Sequence, residues 1–199
     1  MDEYQVNSIL ILVIFYSVNL IKLLIQKQKG IETIHVTKGK KSANLIYVEF
    51  VMKVAVIGVP IYELVSVMWN INKASESVRA GGLVLAYIGL GIFCAAAYCM
   101  HDSWMIGIPI QKKTKLITEG IYSVSRNPAF VGYFLTYLGI LFMFFNIPLL
   151  LFTVFGMIML HIQVLLEEKY LTKMHGKIYR RYKKMVCRYI GRHWKYKKV

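Results

Sequence analysis

Acidic residues are scarce in this sequence, and charges of either sign are missing from several long stretches. The 199 residues include 25 Lys and Arg but only 10 Asp and Glu, and 57% of the chain is hydrophobic against 18% charged. The apolar residues form long uninterrupted blocks instead of recurring at amphipathic spacing. This composition excludes an ordinary soluble domain and is typical of a chain embedded in lipid.

A cysteine framework and a cleavable leader are also lacking. Cys94, Cys99 and Cys187 are the three cysteines, and two of them fall inside an apolar block. The sequence therefore predicts no disulfide bond and no metal site. The first apolar block follows Asp2 and Glu3, with no basic segment before it and no small-residue cleavage site, so we expect a retained span.

About five apolar blocks predict transmembrane helices, because a helix needs roughly 20 apolar residues to cross the hydrocarbon core. They cover residues 6–25, 45–69, 80–100, 128–145 and 148–166. Asn146 and Ile147 alone join the last two blocks, which should form an antiparallel hairpin opened by Pro148. We expect an all-α membrane bundle forming one domain over 1–199, with three spans in 1–100 and a loop, hairpin and tail in 101–190.

The distribution of basic residues predicts the orientation in the membrane. Lys and Arg are concentrated between the first and second blocks, between the third and fourth, and after the fifth, whereas the opposite ends hold only Lys73 and Arg79. The positive-inside rule then places the N-terminus outside and the C-terminus in the cytoplasm.

The tail after the fifth block is polar, but it keeps an apolar stripe at helical spacing and has Gly176 as a predicted break. We interpret it as an amphipathic helix that lies against the membrane or folds back over the bundle. Its many basic residues favour anionic lipid over nucleic acid as a partner, since the tail emerges directly from a span.

Polar residues gather at the cytoplasmic end of the predicted hairpin. Asn127 is a natural N-cap and Pro128 suits the first helical position, while Arg126 beside them is a bidentate donor for a carboxylate. The free N–H groups of the helix start would also attract an anion. The alternative is that Arg126 only anchors the helix at the lipid headgroups.

The fifth block ends in Glu167 and Glu168 at this same end of the hairpin. Gln163 and Glu167 are i,i+4 neighbours, and His161 and Glu168 are seven residues apart, so each pair shares a helix face. Donors for a carboxylate and acceptors for an ammonium or sulfonium are thus predicted to meet. Alternatively, the two acids pair with nearby basic residues of the tail, namely Lys169, Lys173 or Arg180.

These motifs together resemble the isoprenylcysteine carboxyl methyltransferase and phospholipid methyltransferase superfamily over roughly half of the chain. The resemblance rests on the order and spacing of Ser103-Trp104, residues 116–122, Arg126-Asn127-Pro128, Gly132, Asn146, Glu167-Glu168 and residues 176–186. It implies an integral membrane methyltransferase that uses S-adenosylmethionine. It also implies a lipophilic acceptor, similar to a prenylcysteine carboxylate or a phospholipid amine, that enters from the bilayer.

Carried over one residue at a time, the resemblance implies catalytic roles for Arg126 and Glu168. The residues implied in cofactor binding are Gly120, Tyr122, Arg126, Asn127, Pro128, Glu167, Glu168, Tyr179, Tyr182 and Arg188. Two features depart from the family pattern: Asn127 replaces the more frequent histidine, and Arg188 is followed by Tyr189-Ile190-Gly191 without the usual proline. The first departure removes a titratable ring from the motif.

The first half of the chain contains few candidate residues for substrate binding. Glu49 and Lys53 are i,i+4 neighbours near the cytoplasmic end of the second block, and they are candidate contacts for a substrate headgroup. Two other functions stay open: a nicotinamide-dependent membrane reductase of the sterol-reductase kind, and a non-catalytic small transporter or lipid-binding protein. The acceptor atom and the oligomeric state are not indicated by the sequence.

Overall fold

The computed structural model describes residues 1–29, 43–103 and 115–193, with all of their side chains except those of residues 43–46, 48, 49, 53 and 56. Over these residues the chain forms five α-helices and no strand. The helices are α1 (Glu3–Gln28), α2 (Ala43–Met68), α3 (Glu76–Cys99), α4 (Pro128–Met143) and α5 (Ile147–Met185). Short 3-10 turns lie at His101–Ser103 and Gly120–Ser123.

Four of these helices, α1, α2, α3 and α5, are long and apolar enough to cross a membrane. The fourth helix, α4, is also apolar but has 16 residues, fewer than the roughly 20 that span a hydrocarbon core without help from flanking residues. The all-α membrane bundle predicted from the apolar blocks is confirmed. The break predicted at Gly176 is present as well, because its φ of 52° and ψ of −118° interrupt α5.

Helices α3 and α4 pack closely and antiparallel through small residues. A Cβ atom added at Gly89 would lie 2.6 Å from the backbone nitrogen of Thr136, and one at Gly139 would lie 2.6 Å from the Cβ atom of Ala86. Such close approach is how helices associate in lipid, where apolar burial alone gives no driving force. The pairing fixes α4, and with it the loop that precedes α4, against α3.

The turn between α4 and α5 is tied to α2 and to the chain that follows α2. The Asn146 side chain caps α5 by accepting from the Leu149 backbone N–H at 2.9 Å, and its amide donates to Ser66 Oγ at 3.1 Å. The Lys73 N–H donates to the Phe145 carbonyl at 2.9 Å. The predicted hairpin is therefore present, and its turn lies at the end of the bundle opposite to Glu168.

Two buried charged residues at this end were not predicted as such. Arg79 lies in the first turn of α3, where its guanidinium donates to the Met143 carbonyl at 3.1 Å and pairs with Asp2 at 2.7 Å. Glu63 of α2 is fully buried as well. The side chains of Glu49 and Lys53 lie outside the described residues.

Candidate functional site

The loop before α4, residues 115–127, forms one wall of the site and is called the pre-α4 loop below. It turns at Gly120, whose φ of +59° favours glycine, and then forms the 3-10 turn Gly120–Ser123. Pro128 opens α4 as predicted. Asn127 occupies the N-cap position, but the prediction that its side chain caps the helix is wrong, because that amide is turned towards other partners.

Residues 186–193, called the C-terminal segment, fold back against the pre-α4 loop. The Arg126 N–H donates to the Cys187 carbonyl at 3.1 Å, and the Gly191 N–H donates to the Val124 carbonyl at 2.9 Å. The Asn127 amide donates to the Arg188 carbonyl at 3.1 Å. Of the two predicted placements for the tail, these contacts match the one in which it folds back over the bundle.

Glu168 of α5 is the centre of the charged cluster, and its residue is only 3% exposed. Its carboxylate pairs with Arg126 at 3.2 Å, with Arg188 at 3.2 Å and with Lys183 at 3.7 Å. The Asn127 amide donates to the same carboxylate at 3.2 Å. One acid thus balances three cations, and the cluster keeps a net positive charge.

Arg126 is held by this cluster with part of its donor capacity unused. The side chain is 7% exposed, and its Nη2 atom pairs with Glu168. Its Nε and Nη1 atoms are buried and have no hydrogen-bond partner among the described residues. Buried guanidinium donors are normally satisfied, so these two nitrogens have donor capacity left for an ordered water or an anionic group.

Glu167 differs from its neighbour Glu168. Its carboxylate accepts from the Gln163 amide at 2.8 Å, as the i,i+4 spacing predicts, and no cation is paired with it among the described residues. Adjacent residues on a helix point in directions about 100° apart, so the two acids face different surroundings. Glu167 therefore has an acceptor available for a positively charged group.

Tyrosines from two elements close the site. The Tyr182 hydroxyl donates to the Tyr122 carbonyl at 2.6 Å and so links the second part of α5 to the pre-α4 loop. Tyr122, Tyr179 and Tyr182 are all buried. Burial raises the pKa of Tyr122, which keeps this hydroxyl protonated. In the C-terminal segment, the hydrogen bond to Glu168 raises the pKa of Arg188.

An open cleft of about 570 Å³ adjoins Glu168, and we call it the basic cleft. Thr172 and Leu165 of α5 contribute to its lining beside Glu168. The other lining residues are all cations: Lys169, Lys173, Arg180, Lys183 and Arg188. A cleft with this charge attracts anionic or zwitterionic groups.

Most of the residues that the resemblance assigned to the cofactor meet in this region. Contacts around Glu168 or the pre-α4 loop involve Tyr122, Arg126, Asn127, Glu168, Tyr182 and Arg188. Glu168 does not pair with Lys169, Lys173 or Arg180, the partners considered in the alternative interpretation. The contact with Lys183 was missed because no periodicity connects it to Glu168 across the break at Gly176.

A sequence model of the phospholipid methyltransferase family matches residues 78–178, from the start of α3 into the second half of α5. The match includes the pre-α4 loop, Arg126 and both glutamates, and it ends just before Tyr179, Tyr182 and Arg188. No curated protein matches the chain. The family match agrees with the resemblance seen in the motifs, and it does not favour the reductase or the transporter. The chain is thus an integral membrane methyltransferase and belongs to the phospholipid methyltransferase family.

Proposed function

We propose that the protein transfers the methyl group of S-adenosylmethionine to a lipophilic acceptor, and that the cofactor binds between the pre-α4 loop, the end of the hairpin and the C-terminal segment. The observation on which the proposal rests is the Arg126 guanidinium, which is 7% exposed and has two buried nitrogens without a partner in the described part of the chain. The cofactor carboxylate would accept a hydrogen bond from one of these two nitrogens.

The residues present fit the other charged groups of such a cofactor. Among the described residues, the neutral Gln163 amide is the donor that binds the Glu167 carboxylate, so this carboxylate has capacity left for an ammonium or a sulfonium. Glu168 serves a different purpose in this arrangement, because it holds Arg126 and Arg188 in place. Arg126 and Glu167 are thus the proposed contacts with the cofactor, and Glu168 is a positioning residue.

S-adenosylmethionine supplies a methyl group that is already activated by the positive charge on sulfur. The protein then has to align the acceptor with that methyl group and exclude water. The buried tyrosines and the C-terminal segment provide the exclusion, since the Tyr182 hydroxyl and the Arg188 carbonyl bind directly to the loop that carries Arg126. Loss of the titratable ring at Asn127 is compatible with this mechanism.

The acceptor is proposed to be amphipathic and to arrive from the bilayer. The site lies where α5 leaves its apolar stretch, and the C-terminal segment covers the pre-α4 loop. A water-soluble cofactor can enter through the open basic cleft, while a lipid reaches the site between helices. We further propose that this end of the bundle faces the cytoplasm, as the positive-inside rule predicts.

Titration of the purified protein in detergent with S-adenosylmethionine, S-adenosylhomocysteine and a reduced nicotinamide tests the cofactor. We expect the two adenosyl compounds to bind and the nicotinamide not to bind. Arg126→Ala should weaken binding by about 1.5 to 3 kcal/mol, the cost of a lost hydrogen bond to a charged group. Arg181→Ala removes an exposed arginine of α5 and should leave cofactor binding unchanged. Equal affinity for both variants would overturn the assignment of Arg126.

A further inference from the structure

His161 and Tyr189 form a polar pair that the proposed cofactor site does not use. The His161 Nδ1 atom and the Tyr189 hydroxyl are hydrogen-bonded, joining α5 to the C-terminal segment. The Tyr189 ring also meets the Phe134 ring of α4 edge to face, with ring centroids 5.4 Å apart. The pair therefore lies where α4, α5 and the C-terminal segment meet, and both of its members are half-buried.

This pair is next to the charged cluster and on its membrane side. His161 precedes Glu168 by seven residues, which places it on the same face of α5 and about 10 Å further into the apolar part of the helix. Tyr189 directly follows Arg188, whose guanidinium pairs with Glu168 at 3.2 Å. A lipid that approaches the cofactor site from the bilayer along this face passes the pair.

The pair supplies a function that the family motif lacks in this chain. Asn127 cannot take up a proton, and the Glu168 carboxylate is already engaged by three cations. In the neutral tautomer with its proton on Nε2, the His161 imidazole accepts from the Tyr189 hydroxyl and has Nδ1 free to take up a proton. An acceptor needs such a base only if its reacting atom carries a proton at neutral pH, as an amine does and a carboxylate does not.

We propose that the Tyr189–His161 pair removes the proton from a protonated amine acceptor, and this inference rests on the proposed function. The ammonium gives a proton to the Tyr189 oxygen while the Tyr189 hydroxyl proton passes to His161 Nδ1. The freed nitrogen lone pair forms the new N–CH₃ bond, and the pair of electrons in the S–CH₃ bond stays on sulfur as neutral S-adenosylhomocysteine. The proton on imidazole then leaves to water.

Few charged groups face the pair in the described part of the chain. The C-terminal segment contributes Arg188, α5 contributes Glu168, and α4 contributes the apolar Phe134. From α2, Met52 and Ala55 pack on the neighbouring stretch of α5 at Met159. The side chains of α2 at 49 and 53 lie outside the described residues.

The test compares parent protein, His161→Asn and Tyr189→Phe in detergent micelles that contain phosphatidylethanolamine or a long-chain alkylamine, with methyl-labelled S-adenosylmethionine. Asn keeps a hydrogen-bonding group near the position of Nδ1 but is not a base. At pH 7 we expect both variants to lose about 100-fold or more in kcat, the usual contribution of a general base. The loss should shrink as pH rises towards 9, because the acceptor then loses its proton unaided. His101→Asn, at an exposed histidine, should match the parent.

Binding of S-adenosylhomocysteine to each variant distinguishes a damaged cofactor site from a loss of proton removal alone. Retained binding together with the pH-dependent loss supports the base. A loss of the same size at every pH, or a pH-dependent loss in Glu167→Gln instead, would overturn it. Methylation of a carboxylate but of no amine would also overturn it and would leave the proposed function intact. A parent protein that binds no adenosyl compound would overturn both.

Discussion

At the scale of single residues, the two adjacent glutamates of α5 have different partners and should behave differently when neutralised. Glu168 is 3% exposed and balances Arg126, Lys183 and Arg188. Glu167 accepts one hydrogen bond from a neutral amide. Adjacent acids in a sequence suggest one shared role, but the different partners of these two carboxylates indicate two separate roles.

Replacing each glutamate by Gln should separate these roles. Glu168→Gln leaves the buried Arg126 without its counter-charge, so we expect a loss of stability of about 3 kcal/mol together with weaker cofactor binding. Glu167→Gln should weaken cofactor binding and leave the unfolding midpoint unchanged. Thermal unfolding in detergent and a binding titration on both variants measure the two effects. Equal stability of the two variants would contradict the role of Glu168 as the centre of the cluster.

Residue patterns predicted the meeting of Arg126 and Glu168 but not the full cluster. Asn146 and Pro148 mark a tight turn, and a tight turn brings the far ends of two helices together, so this contact followed from the sequence. Arg188 comes after the break at Gly176, where the chain direction depends on contacts such as that of the Tyr182 hydroxyl with the Tyr122 carbonyl. No local pattern encodes those contacts.

At the scale of elements, the packing of α4 against α3 positions the pre-α4 loop, which carries Arg126. Helix α4 is shorter than the other four, and it depends on glycines that let its backbone approach α3. The pre-α4 loop connects directly to this helix, and its Gly120 lies beside Cys99 at the end of α3. A shift of α4 along α3 would therefore move Arg126 relative to Glu168.

Two glycines of α3 provide a matched test of this contact. A Cβ atom at Gly89 would lie 2.6 Å from the Thr136 nitrogen and 2.9 Å from the Gly132 carbonyl oxygen, whereas one at Gly91 meets nothing within 4 Å. We expect Gly89→Ala to destabilise the protein by about 1 to 3 kcal/mol through overpacking. Gly91→Ala should be neutral or stabilising by about 0.5 to 1 kcal/mol, since Ala favours a helix. Thermal unfolding of both variants measures this difference in stability, and equal unfolding midpoints would contradict the close contact between α3 and α4.

At the scale of the whole molecule, polar interactions lie at both ends of the bundle but differ in kind. The end with the α4–α5 turn is fixed by internal pairs, such as Arg79 with Asp2 and Asn146 with Ser66. The opposite end has excess positive charge and an open cleft, and Arg126 Nε and Nη1 there have no partner in the described part of the chain. The first end is organised for stability, and the second has the features of a binding site for a charged ligand.

Charge asymmetry between the two ends also predicts how the bundle sits in the membrane. Single cysteines at Lys73 and Lys177, both exposed, test this in a background where Cys94, Cys99 and Cys187 are replaced by Ser. An impermeant maleimide should label Lys73→Cys in intact cells, and it should label Lys177→Cys only after permeabilisation, because the positive-inside rule predicts that the basic end stays in the cytoplasm. Binding of S-adenosylhomocysteine confirms that each variant is folded. Labelling of both positions from one side would contradict the five spans predicted from the sequence, and the reverse pattern would place the basic cleft on the outer face, away from cytoplasmic S-adenosylmethionine.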